Sequence, residues 1–152
     1  MHIHIRSLSK QTGVGLIEVL IAVLVLSIGF LGIAALQAKS LSTNNSAMAR
    51  TNAVISSYSI LDAMRADRTT ALAGGYNTTV AADNCPARGV LSATQLNTWC
   101  TELGNRLGAS ANTTGKINCT TLGDCTITIQ FDDSRSGTGG SATQQVITRA
   151  ML

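Results

Sequence analysis

The sequence predicts an α+β protein, with one long N-terminal helix whose first half spans a membrane, packed on a small antiparallel β-sheet domain at the C-terminal end. Three observations predict it. Residues 19–38, between Glu18 and Lys39, carry no charge and are mostly Val, Leu, Ile and Ala; as a helix they extend about 30 Å, the thickness of a bilayer's hydrocarbon core. Apolar residues then continue at helical spacing beyond Lys39. After Gly74-Gly75, short runs bounded by turn residues alternate in the manner of strands.

Composition narrows the function classes. Charged residues make up 12% of the 152 and hydrophobic residues 45%, the reverse of the balance that keeps a chain disordered. The net charge of +3 rests on Arg6 and Lys10, because residues 14–152 keep nine Lys/Arg against eight Asp/Glu. With aromatic residues at 3%, no basic stripe interleaved with aromatics exists, and no nucleic-acid partner is expected.

The first element is the apolar run, with a transmembrane part at about residues 16–38. It is apolar all round, unlike an amphipathic surface helix. Arg6 and Lys10 hold the N-terminus in the cytoplasm by the positive-inside rule and send the remainder across. A secretory signal with small residues near Ala35 to Ala38, or a plain anchor, has the same outline. Neither explains Glu18, a carboxylate at the head of an apolar span, where charge is costly and points to function. Gly29 and Gly32 mark either close contacts with other helices or a point that unwinds.

Helical spacing continues through Leu41, Met48, Ile55, Tyr58, Leu61 and Met64, which we read as a core-packing stripe. One helix from about Leu16 to about Arg68 is the economical description, and residues 69–152 form the domain. Ser92 to Gln95 has capping-box spacing ahead of Leu96, Trp99, Leu103 and Leu107, a second helix. Lys116–Cys119 and Cys125–Phe131 read as strands joined by Leu122-Gly123-Asp124, with Cys125, Ile127, Ile129 and Phe131 on one face. A glycine-rich loop, Ser136 to Ser141, leads to a last strand over Gln145 to Leu152.

Cys85, Cys100, Cys119 and Cys125 admit three pairings, and their separations lack the close pairs of a zinc site. Export to an oxidising compartment favours disulfides. Cys119 and Cys125 flank the expected turn, which pairs them and leaves Cys85 with Cys100, a bridge worth about 3 kcal/mol. A nested arrangement joining Cys100 to Cys119 is the alternative.

Gly13-Val14-Gly15-Leu16-Ile17-Glu18 and the apolar run behind it resemble the processing site of type IV prepilins. The resemblance implies a leader of residues 1–13, cleavage by prepilin peptidase between Gly13 and Val14, N-methylation of Val14, and Glu18 as the fifth mature residue, meeting the N-terminal ammonium of a neighbouring subunit. Val14 departs from the large apolar residue usual at the first mature position. The only proline is Pro86, so the helix lacks the kinking proline of many major pilins. Residues 24–32, 61–68 and 127–133 further resemble the PilV-type minor pilins, also called type IV pilus modification proteins.

That resemblance implies a pilin-like fold in which residues 14–68 form the long helix, and a low-abundance subunit that helps prime pilus assembly from the inner membrane, together with other minor pilins at the filament tip. Implied partners are other minor pilins, the major pilin, the inner-membrane assembly platform and, before assembly, membrane lipid. The implied location is a single-pass inner-membrane protein with its C-terminal domain in the periplasm, then the pilus fibre, with roles in adhesion and twitching motility. A minor pseudopilin of a type II secretion system shares the N-terminal logic and is the alternative. A membrane-anchored binding module acting through the Ser136 to Gln145 loop is a further one, although nothing in that loop specifies a ligand.

No enzyme, metal or cofactor is expected. His2 and His4, the only histidines, both fall in the leader, so no nucleophile has an imidazole partner in the mature chain. Asp132 and Asp133, adjacent on a strand, point to opposite faces and are expected to end it in solvent.

Overall fold

The structure, a computed structural model, describes residues 13, 15–136 and 140–152. The expected leader 1–13, apart from Gly13, lies outside the described residues, as do Val14 and the middle of the glycine-rich loop. The chain divides into two compact units, Met1–Ala38 and Lys39–Leu152. One helix, α1 (Leu16–Ala66), supplies both.

In the first unit every described residue is exposed. Residues of α1 here are apolar on all sides, and the best 18-residue window of the helix has a mean hydropathy of 2.9. Among the described residues this is the one helix long and apolar enough to cross a membrane.

The second unit has two layers. Its sheet contains β1 (Thr78–Ala81), β2 (Thr114–Cys119), β3 (Asp124–Phe131) and β4 (Gln144–Met151) in the order β1-β2-β3-β4, every pair antiparallel. The end of α1, a short α2 (Arg68–Leu72) and α3 (Leu91–Leu107) complete it. Alternation on β3 buries Cys125, Ile127, Ile129 and Phe131 against Ile60, Leu61 and Met64 of α1 and Trp99 and Leu103 of α3. The other sheet face carries Lys116, Thr128 and Arg149. An antiparallel sheet with helices on one face and water on the other is the α+β, pilin-like arrangement expected.

The two strands and the hairpin read from the sequence sit where expected, with Gly123 N–H donating to the Thr120 carbonyl at 3.0 Å in the turn. The helical stretch closes at Gly74, which adopts φ +83°. Its N–H reaches the Ala71 carbonyl at 3.0 Å while Gly75 N–H reaches Thr70 at 2.8 Å, a paired termination that needs a left-handed residue.

Three expectations are corrected. The capping box is not used: α3 starts at Leu91 after Val90, Ser92 is buried inside the helix, and the Thr94 hydroxyl instead donates to the Gly89 carbonyl at 3.1 Å. The second is β1, which is not among the strands expected, because its four residues alternate too briefly to be distinguished from a loop.

The stripe on α1 is the third. Leu61 and Met64 are fully buried, but Leu41, Met48, Ile55 and Tyr58 are 66%, 59%, 47% and 53% exposed. Each three-residue step falls about 60° short of a full turn, so the stripe winds round the helix and its two ends face different ways. The buried face is instead Ala53, Ser56, Ser57, Ile60, Leu61 and Met64. Small residues there let the Trp99 indole donate to the Ser56 carbonyl at 2.9 Å.

Candidate functional site: the N-terminal segment

Gly13 is exposed, and a side chain at that position would meet nothing within 4 Å among the described residues. The Gly15 carbonyl accepts the N–H groups of Glu18 (3.0 Å) and Val19 (3.3 Å), which starts α1 at Leu16 and puts Glu18 in its first turn. Carboxylates are stabilised there by the unpaired N–H groups and the helix dipole. Glu18 is exposed, at the head of a shallow groove shared with Val19, Ala22, Val23 and Leu26. It is the sole acidic residue of the first unit. A lone carboxylate on an apolar strip is suited to receiving a cation, whose attraction is large where water is excluded. Val14, the expected site of N-methylation, lies outside the described residues.

In the second unit the four cysteines form two bridges, Cys85–Cys100 and Cys119–Cys125, with Cα separations of 5.6 Å and 4.0 Å. The first ties the segment before α3 to α3 itself; the second closes the β2–β3 hairpin. Among the described residues no three His, Cys, Asp or Glu side chains converge as a metal site would need.

The acidic pair after β3 separates, and the expectation that both stay in solvent is corrected for one. Asp132 is exposed and accepts the Ser134 N–H at 2.9 Å; hydrogen bonds from Ser134 hold its carboxyl below the usual range. Asp133 is only 7% exposed and accepts the Ser46 hydroxyl of α1 at 2.6 Å, with an Arg50 nitrogen 3.8 Å away. The Ser42 hydroxyl donates to the Arg135 carbonyl at 2.8 Å. Ser42, Ser46 and Arg50 therefore hold the segment after β3 onto α1. Their four-residue spacing was the available signal, lost among the other polar residues of that stretch.

A second, half-buried polar cluster links the α1–α2 junction, Tyr76 and α3. Asp67 accepts the Thr70 hydroxyl at 2.7 Å and the Tyr76 hydroxyl at 3.1 Å, and Tyr76 also meets Gln95. Burial, with Asp67 beside it, pushes the Tyr76 phenol up to about 12.

A small-residue N-terminal junction, one carboxylate opening an apolar helix, and a disulfide-bridged α+β domain are the features that a resemblance to type IV prepilins implies. Residues 8–34 match the prokaryotic N-terminal methylation motif, which is the segment holding Gly13, Val14 and Glu18. Beyond that motif, no curated protein and no solved structure matches the chain.

Proposed function

We propose that the protein is a PilV-type minor pilin that helps prime type IV pilus assembly. Prepilin peptidase cuts between Gly13 and Val14, where glycine lets an extended backbone approach the enzyme closely. The new amine of Val14 is methylated. Residues 16–38 hold the subunit in the inner membrane with residues 39–152 in the periplasm, until the assembly platform transfers it to the fibre. There Glu18 pairs with the N-terminal ammonium of a neighbouring pilin, and the exposed Leu41, Met48, Ile55 and Tyr58 give α1 an apolar face for neighbouring helices. The observation that carries this reading is the methylation motif over residues 8–34 with Glu18 as the one carboxylate of an otherwise apolar, exposed helical segment.

The test is the N-terminus of protein isolated from membranes. Cells with prepilin peptidase should yield a chain starting at methylated Val14, and cells lacking it the uncut chain; Gly13→Trp should remain uncut in both. A chain starting at Met1 in peptidase-positive cells, or one stripped of residues 16–38, refutes the reading. Loss of pili on deleting the gene, with type II secretion unchanged, separates a pilus subunit from a pseudopilin.

A further inference from the structure

Among the described residues the sheet has one long open edge. The Leu152 N–H donates to the Gly123 carbonyl at 3.0 Å, which sets the phase of the β3–β4 ladder. Even-numbered residues of β4 direct their backbone groups to β3, and Gln145, Ile147, Arg149 and Met151 direct theirs outward. Among the described residues β3 is the only strand paired with β4, and these four residues are exposed. Two outward carbonyls have side-chain partners: Gln145 accepts from the Gln144 amide and Met151 from Arg65, each at 3.4 Å. The N–H groups of all four, with the carbonyls of Ile147 and Arg149, are left over among the described residues.

The opposite edge is different. β1 is four residues long, and its outward Ala81 carbonyl is taken by the Asn84 N–H at 2.9 Å. Natural sheets blunt long edges with proline, bulges or covering elements, since an unpaired ladder templates another strand. β4 pairs with β3 over eight consecutive residues without a bulge or proline, and Arg149 is its one charge.

We infer that the free edge of β4 receives an extended strand from a different polypeptide, added antiparallel, with a carboxylate opposite Arg149 and an apolar side chain opposite Ile147. The backbone groups supply affinity and the side chains on the outer face supply choice. Arg149 has no ion pair among the described residues, so an incoming carboxylate meets an uncommitted guanidinium. Ile147 is 58% exposed two residues away on the same face, which sets the pattern acid-x-apolar along the incoming strand.

The edge strands of a second copy do not supply that pattern. Antiparallel pairing of two β4 strands must set outer-face residues opposite one another. Centred on Ile147, it puts Arg149 opposite Gln145; centred on Arg149, it sets two guanidinium groups against each other; the register between puts Arg149 opposite Ile147. None gives Arg149 a carboxylate. β1, Thr78–Ala81, has none either.

The test uses the full chain in detergent micelles and two capped synthetic peptides, Ac-TTETVTQT-NH2 and its lysine counterpart Ac-TTKTVTQT-NH2. The glutamate peptide should shift the backbone amide resonances of Gln145, Ile147 and Arg149, leave those of β1 in place, and bind about fivefold tighter than the lysine peptide, as exposed charge pairs allow. Arg149→Glu should reverse the preference. Ile147→Pro removes an outward N–H but no bond to β3, and should abolish binding with the β3–β4 resonances retained. Unmoved β4 amides, or an unchanged preference in Arg149→Glu, overturn the inference even if Ile147→Pro does not fold. Peptide-free dimers with protected Ile147 and Arg149 amides overturn it in favour of a second copy.

Discussion

Gly115→Ala should destabilise the second unit severely, and the size of the effect follows from one contact. A methyl on Gly115 would sit 2.3 Å from Cη2 of Trp99 and 2.8 Å from Cδ1 of Leu103. Carbon atoms rest about 3.5–4.0 Å apart, so the indole has to retreat by more than an ångström. It has little room to do so, because Trp99 is 2% exposed and its Nε1–H is anchored on the Ser56 carbonyl at 2.9 Å. Overpacking of this kind costs about 1–3 kcal/mol, and breaking the indole hydrogen bond adds about 1 kcal/mol. At about 4 °C per kcal/mol for a unit of this size, the midpoint of thermal unfolding should fall by about 8–16 °C. Trp99 is the only tryptophan, so its emission during heating of the micelle-held protein reports on the affected contact directly. Trp99→Phe in the Gly115→Ala background should recover part of the loss, since it removes the clashing ring. A midpoint within about 2 °C of wild type and an unchanged emission maximum would show that the indole is not wedged against β2 as described.

Three further outcomes follow from the same geometry. Glu18→Ala should be cut and methylated normally yet yield few or no pili, counted by shearing and immunoblot; wild-type piliation would remove the role proposed for the carboxylate. Asp133→Ala should cost about 1–3 kcal/mol by leaving Ser46 without its acceptor and Arg50 without its ion-pair partner, with hydrogen exchange faster in residues 132–136 than in β2. Folding favours the neutral Tyr76 phenol, whose folded value of about 12 exceeds the ordinary 10.0. Its contribution is therefore intact below pH 10 and lost as the pH rises through 12. Chemical denaturation of wild type and Tyr76→Phe across that interval should show the steeper alkaline decline in wild type, and parallel declines would contradict it.

How much could be read from the chain alone depended on whether a feature is periodic. β3 alternates over eight residues and α3 repeats Leu96, Trp99, Leu103 and Leu107, so burial of their faces follows from spacing alone. The apolar run and its opening carboxylate are equally plain, because membrane thickness fixes the length. What escaped was tertiary. β1 exists because β2 offers it an edge, its own four residues being too few to announce it. The start of α3 moved upstream because the Thr94–Gly89 contact closes the turn without the expected cap. Asp133 looked like the second of two strand-end carboxylates, and only its partners Ser46 and Arg50, more than eighty residues away, make it a buried one.

The misread stripe on α1 carries the broader argument. A helix that packs only on its own domain should show one apolar face, and the α1 segment from Lys39 onward shows two kinds of surface. Its buried face is built from Ala53, Ser56, Ser57 and Ile60, small enough for the helix to approach Trp99 closely, with the larger Leu61 and Met64 at the end. Its exposed face keeps Leu41, Met48 and Ile55 at seven-residue intervals, a spacing that drifts only about 20° per step. Folding of the domain gives no reason to hold large apolar residues in water at that regular spacing, because burying none of them stabilises it. Pairing with another helix does. On the proposed function the pattern answers two demands, one from the domain and one from assembly, which a single core stripe merges. An α1 variant carrying Leu41→Ser, Met48→Ser and Ile55→Ser separates the two: the thermal midpoint of the domain should stay within about 2 °C of wild type, as exposed substitutions generally do, while piliation falls. A large drop in the midpoint would return the stripe to the domain's own core.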